Sequence, residues 1–323
     1  MILLCVVLFL QATQCSAVVR RFNGITSSAD GQFLATTATS GNIWTSNDVG
    51  FTWIEQEATN NWFGIASSIN GSRLAALGQN IWTSTNFGTS WNEHSVGGGS
   101  RGWTSIASSA DGNWLAAVGT GIWTSKNKGM SWTQQTVGGG GTKTWTCIVS
   151  SADGNLLTAT GTSGIWTSND SGRSWTQQTI PGVSYFYGMT ASAKGMLAAT
   201  SGSTVWISQD TGATWQNHSL SSTTAGVTSV PSLTRITSSA DGTRLAAVDV
   251  VPAGSYSSGI INVWTSYNSG TDWTKNAVQP VGFPSTPTRP DITSSADGME
   301  LALSSVNIWI SHDAGTTWAV RSI

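Results

Sequence analysis

The chain has 323 residues, a net charge of -2 and only 9% charged residues, against about 25% in ordinary soluble domains. So sparse and scattered a basic set excludes a nucleic-acid surface, which needs clustered Lys and Arg. With 37 Gly and 18 Trp, the composition points to strands and tight turns rather than helices.

The first feature in chain order is an apolar run from Ile2 to Leu10, followed by small residues at Ser16 and Ala17. It reads as a secretory signal peptide over residues 1–17, too short to span a bilayer. No later stretch is apolar for long enough either, so the expectation is a secreted, extracellular protein without a membrane span. The three cysteines are Cys5, Cys15 and Cys147. Cleavage would leave Cys147 alone, so the domain needs a sizeable core instead of a disulfide framework. Cys147, inside "WTCIVSS", is read as a buried structural thiol.

From residue 18 onward the chain repeats. One unit, residues 103–136, reads "WTSIASSADGNWLAAVGTGIWTSKNKGMSWTQQT". Four short apolar or alternating runs are separated by an Asp-Gly turn, a Gly-Thr-Gly turn and the stretch "SKNKGMSW". Asp-Gly between such runs favours a tight hairpin. The third turn occurs seven times and ends at Trp53, Trp91, Trp132, Trp175, Trp215, Trp273 and Trp318. A period near 40 residues indicates a solenoid or a propeller. The units carry no distinct polar caps at either end, which favours a closed ring over a linear stack. Four antiparallel strands per unit then give an all-β, seven-bladed β-propeller over residues 18–323. The blades fall at about 22–61, 62–102, 103–144, 145–185, 186–233, 234–288 and 289–323. Ring closure stays open between packing of a complete last blade on the first and pairing of a strand from residues 18–22 across the join.

Within the third turn, "SNDSGRSW" for residues 168–175 is representative. Asp170 is placed to accept backbone N–H groups two residues on, as an Asx turn does, and Gly172 supplies a positive φ. The equivalent positions are Asp48, Asn86, Asn127, Asp210, Asn268 and Asp313. Exchange of Asp for Asn suits a turn and not a general acid, because an amide has no titrating proton to give. The turn tryptophans and a second set at Trp44, Trp82, Trp123, Trp166, Trp206, Trp264 and Trp309 are read as core between blades.

The pattern Ser-x-Asp-x-Gly-x-Thr-Trp resembles the Asp-box, or BNR, repeat of sialidases, xyloglucan-degrading glycoside hydrolases, sortilin-type receptors and photosystem II assembly propellers. The resemblance implies a propeller in which the box joins the third and fourth strands of each blade, away from the ligand face. It does not extend to the catalytic parts of those families. The arginine triad expected of a sialidase has no counterpart beside Tyr185, Tyr187 or Tyr256, and Arg289-Pro290 is the nearest approach to its entry motif. A xyloglucanase spreads its acids over two propellers, and one is present here. The sixth box departs from the pattern by carrying Asp272 where Ser or Thr is usual.

Subtraction narrows the acids. Asp30, Asp111, Asp153, Asp241 and Asp297 belong to the Asp-Gly hairpins, and Asp48, Asp170, Asp210, Asp272 and Asp313 to the boxes. Asp249, Asp291, Glu55, Glu57, Glu93 and Glu300 remain. Both sets of turns should share one edge of the ring, which sends the search for a site to the other. The candidates there are Glu57, Glu93, His94, Arg101, Lys143, His218, Asp249, Arg289 and Asp291, with Tyr185, Tyr187, Tyr256 and Phe283 as aromatic groups able to stack on a sugar or a protein segment. The leading expectation is a secreted, monomeric, non-catalytic binding or adhesion propeller. Its partner would be a glycan or an extracellular protein, with no metal and no cofactor. The alternative is a divergent glycoside hydrolase using Asp249 and Asp291 as its carboxylate pair. Asn70, Asn169 and Asn217 match the Asn-x-Ser acceptor pattern.

Overall fold

The computed structural model describes residues 20–39, 41–97, 102–138, 143–178, 180, 182–183, 185–220, 232–253, 258–281 and 290–321. They form seven four-stranded antiparallel sheets, each running in simple chain order from its first strand to its fourth. The sheets cover residues 22–60, 64–94, 105–135, 145–178, 188–219, 233–281 and 291–321, and no helix occurs among the described residues. The fold is an all-β, seven-bladed propeller. The first strands of all seven blades line a central channel.

The core is divided among the interfaces between blades, one apolar cluster to each. Trp123 and Trp132 of the third blade pack with Leu77 and Ile81 of the second. Trp309 and Trp318 of the seventh pack with Val248 and Ile261 of the sixth. Trp44 and Trp53 of the first blade pack with Ala302, Ile308 and Ile310 of the last. Each blade thus turns both tryptophans toward its predecessor. The large rings fill the gap that opens as the blades splay outward, and deleting one would cost about 3–5 kcal/mol.

Ring closure needs no exchanged strand, because the seventh sheet is built wholly from residues 291–321. Backbone hydrogen bonds link blade to blade through the residue just before the first hairpin's turn pair, which is Asp-Gly in five blades, Asn70-Gly71 in the second and Lys194-Gly195 in the fifth. Ala29 N–H donates to Ile69 O at 2.7 Å, Ile69 to Ala110 at 2.7 Å, Ala110 to Ala152 at 2.8 Å, Ala193 to Ala240 at 2.9 Å, Ala240 to Ala296 at 2.7 Å, and Ala296 back to Ala29 at 2.7 Å. The last of these spans the join, where Phe22 N–H also donates to Ser305 O at 2.8 Å.

The third-to-fourth turns are nearly identical in all blades. Ser168 Oγ donates to Asp170 Oδ1 at 2.8 Å and accepts Gly172 N–H at 2.8 Å. Asp170 Oδ1 takes the N–H of Ser174 at 2.9 Å, while Oδ2 takes its hydroxyl at 2.6 Å. Trp175 Nε1 closes the turn on Gly172 O at 2.9 Å. The carboxylate therefore reaches four residues on, not two. The reason is that Ser171 as well as Gly172 is left-handed, with φ of 59° and 88°, so the chain curls back over the acid. The bond to the second residue on belongs to the Asp-Gly hairpins, as where Asn113 N–H donates to Asp111 Oδ1 at 2.9 Å. The two sets of turns share one edge: Ser171 N–H donates to Asn155 O at 2.9 Å, and Val49 N–H to Gln32 O at 3.0 Å.

Candidate functional site

The first strand of each blade enters the ring at the edge opposite the box turns. Aligning the repeats places Gly24, Gly64, Ser105, Cys147, Gly188, Arg235 and Asp291 at one level of the channel wall. Small residues dominate because neighbouring inner strands nearly touch here. A Cβ on Gly24 would lie 3.1 Å from Gly64 Cα, and one on Gly188 would lie 2.8 Å from Arg235 Cα. The sixth and seventh blades break the column with a cation and an anion.

Arg235 Nε sits 3.3 Å from Asp291 Oδ1. Its Nη1 donates to Tyr187 O at 2.9 Å and Thr234 O at 3.1 Å. Asp291 Oδ2 accepts the N–H of Ile25 at 3.2 Å. The pair thereby ties together blades five, six, seven and one. Burial pushes the Asp291 carboxyl above the ordinary carboxylate range, against the pull of the Arg235 charge and of backbone N–H groups. Cys147, on the same level, donates toward Met189 O at 3.9 Å and accepts from Ser105 Oγ at 3.8 Å. Its thiol is likewise pushed up by burial, so at neutral pH it is protonated and a poor nucleophile.

Above this level the channel opens into a mouth of about 400 Å³, bordered by Asn23, Phe63, Trp103, Trp145, Tyr185, Tyr187 and Arg235. Trp103 and Trp145 are buried and belong to the core, whereas Phe63, Tyr185 and Tyr187 are 44%, 37% and 39% exposed. The two tyrosine rings meet edge to face with centroids 4.9 Å apart, a geometry that fixes both rings. Polar groups on the rim are used to fasten blades. Asn23 Nδ2 donates to Trp62 O at 2.7 Å, Thr104 Oγ1 to Trp145 O at 3.0 Å, and Thr146 Oγ1 to Phe186 O at 3.0 Å.

The structure therefore brings Tyr185, Tyr187 and Asp291 to one channel. Asp249 lies elsewhere, fully buried within the sixth blade. It accepts Asn262 Nδ2 at 2.6 Å and Trp264 Nε1 at 3.2 Å, and burial raises its pKa against those two bonds. Asp249 and Asp291 share no hydrogen-bond partner among the described residues. Arg101, Tyr256, Phe283 and Arg289 fall outside the described residues, as do residues 1–17. Glu93 accepts Asn80 Nδ2 at 2.8 Å, and half-buried His94 bonds Thr83 Oγ1 at 2.7 Å. Among the described residues no three His, Cys, Asp or Glu side chains gather as a metal site would require, and no helix is long and apolar enough to cross a membrane. Arg235 is the channel residue the sequence reading missed. Its signal was positional: it replaces glycine or another small residue in a column that only aligned units reveal.

No family model and no curated protein matches the chain. Its architecture does match solved structures. An ancestral GH74 enzyme superposes with a TM-score of 0.68 at 14% identity, over 93% of this chain and 46% of that one. The GH74 xyloglucanase of Xanthomonas campestris gives 0.65 at 14% identity, over 92% and 52%. The chain thus spans about half the length of these two enzymes. YCF48 bound to a D1 peptide gives 0.57 at 18% identity, over 83% and 82%. At such identities the shared feature is the propeller fold.

Proposed function

We propose that the protein is a secreted, non-catalytic binding or adhesion propeller that takes a glycan at the channel mouth opposite the box turns. The observation that carries this reading is the pair Tyr185 and Tyr187, partly exposed and fixed edge to face over a cavity of about 400 Å³. Aromatic faces beside polar groups suit a sugar ring, which has apolar C–H faces and hydroxyl edges. The carboxylates favour binding over hydrolysis. Asp249 is sealed inside its blade, and Asp291 is committed to Arg235 and to Ile25 N–H. Glycoside hydrolysis needs two carboxyls flanking one scissile bond.

A glycan array probed with the secreted protein, with released sugar assayed in parallel, tests the proposal. The expected result is binding to a restricted set of glycans without turnover. Reducing sugar released by the wild type and lost in Asp291→Asn would support the hydrolase alternative instead. Absence of binding to every glycan would direct the search to an extracellular protein partner.

A further inference from the structure

The three Asn-x-Ser matches stand in different surroundings. In the second blade, Asn70-Gly71-Ser72 forms the first hairpin turn, where five other blades carry Asp. Asn70 is exposed. Its Oδ1 accepts Ser68 Oγ at 2.9 Å, Ser72 N–H at 3.1 Å and Ser72 Oγ at 2.8 Å. The hydroxyl of the acceptor motif thus already sits on its own asparagine amide. The amide nitrogen Nδ2 has no partner among the described residues, and Asn70 borders an open pocket of about 430 Å³.

Two aromatic rings frame the same turn. Phe33 lies beneath Gly71, so that a Cβ there would meet its ring at 2.4 Å. Phe87 donates its backbone N–H to Ser72 O at 3.0 Å and leaves its ring 48% exposed at the pocket. The rings meet edge to face at 5.4 Å, which holds Phe87 in place beside Asn70. Phe87 is also left-handed, with φ of 58°, a costly conformation for a bulky side chain. The other two motifs lack this arrangement. Ser171 is buried, and its hydroxyl donates to Asn155 Oδ1 at 3.1 Å rather than to the Asn169 amide. Asn217 lies in a paired strand opposite Trp206, and no bond joins it to Ser219 among the described residues.

We propose that Asn70 is an N-glycosylation site and that its first sugar packs on the exposed face of Phe87. The inference rests on the secreted reading above. The co-reactant is a polyprenyl-diphosphate-linked oligosaccharide. Asn70 Nδ2 forms the bond to the anomeric carbon as the bond from that carbon to the diphosphate oxygen breaks. The electron pair leaves with the diphosphate, and one amide proton passes to a base of the transferase. Stacking on Phe87 then covers one apolar sugar face without displacing a core residue.

The test expresses the full chain in a eukaryotic secretory cell, beside a version whose residues 1–17 are replaced by a leader of known competence. Treatment with a peptide-N-glycosidase should shift the mobility of both and leave Asp at position 70 by mass spectrometry. Asn70→Asp, which restores the acid used in five other hairpins, and Ser72→Ala should each abolish the shift, while Asn217→Gln should keep it. Glycosylated wild type should melt about 2 °C above its deglycosylated form, and Phe87→Ala should remove that difference while keeping the sugar. Glycosylation of only the leader-substituted version would uphold the Asn70 site and overturn the secreted reading. Export of that version with Asn70 unmodified would overturn the Asn70 proposal, and an unchanged melting difference in Phe87→Ala would overturn the stacking.

Discussion

Arg235 and Asp291, on neighbouring blades, form a 3.3 Å ion pair inside a ring of Gly24, Gly64, Ser105, Cys147 and Gly188. Both side chains are about a quarter exposed, at 26% and 23%, so the pair stands between a screened surface bridge and a buried one. Arg235→Ala leaves a carboxylate in the channel without its counter-charge and should cost about 1–3 kcal/mol in urea unfolding. The double variant Arg235→Ala/Asp291→Ala should lose less than the two single losses combined. Strict additivity would show that the pair contributes no coupling.

The box turn separates an acid from its hydrogen-bonding role. In boxes with Asp, the side chain accepts a hydroxyl four residues on, as Asp48 does from Thr52 at 2.6 Å. In boxes with Asn the direction reverses, and Asn86 Nδ2 donates to Ser90 Oγ at 2.9 Å. Asp170→Ala should therefore lower stability by about 0.5–2 kcal/mol, whereas Asp170→Asn should retain most of it. Thermal melts of the two variants side by side check this.

The sixth box shows the same logic from its partner's side. Asn268 Nδ2 donates to Asp272 Oδ2 at 2.8 Å, and Asp272 N–H donates to Asn268 Oδ1 at 2.9 Å. Asp272 is tolerated because an amide faces it. Asn268→Asp would oppose two carboxylates and should destabilise by about 1 kcal/mol. Adding Asp272→Thr should restore the loss, and failure of that rescue would contradict the pairing rule.

The fold was legible in the sequence because each blade repeats the same solution. Gly172 and Trp175 recur at fixed offsets in every unit, and a local turn with its own hydrogen bonds needs little from distant chain. What was not legible arises between units. The links through Ala29, Ile69, Ala110 and Ala296 use main-chain N–H and C=O groups, which every residue but proline carries whatever its side chain. Ser171 gives no sign of its left-handed φ, since Val49, Phe87, Lys128, Thr211, Ser269 and Ala314 adopt it equally. Asp249 and Asp291 looked alike as leftover acids, yet Asp249 stands in the second strand of its blade, buried against Asn262 and Trp264, whereas Asp291 stands in a first strand, which lines the channel.

The turn acids set the response to acid. Asp170 and Asp210 are held at about 2, chiefly by the hydroxyls and N–H groups of Ser174 and Thr214, and Asp241 at about 2 by Ser239 and Thr243. Asp30, Asp48, Asp111, Asp153, Asp297 and Asp313 are lowered as well. Their stabilisation is complete above the unfolded value of 3.8 and is lost as pH falls through the folded values. Raised Asp249 and Asp291 act oppositely, since protonation relieves their burial. The larger group should win, so the melting temperature should drop steeply between about pH 4 and pH 2. Asp170→Asn/Asp210→Asn should flatten that drop, as the amides keep the turn without a titrating group.

The proposed function places the ligand at the channel mouth and not at the box edge. Its most direct test is a calorimetric titration of one array-selected glycan into wild type, Tyr185→Ala/Tyr187→Ala and Asp170→Asn. Loss of two stacking rings should weaken binding by about tenfold or more, with the melting temperature held near wild type, while Asp170→Asn should bind as wild type does. Unchanged affinity in the double tyrosine variant, together with loss in Asp170→Asn, would rule out the channel mouth and move the site to the opposite edge of the ring.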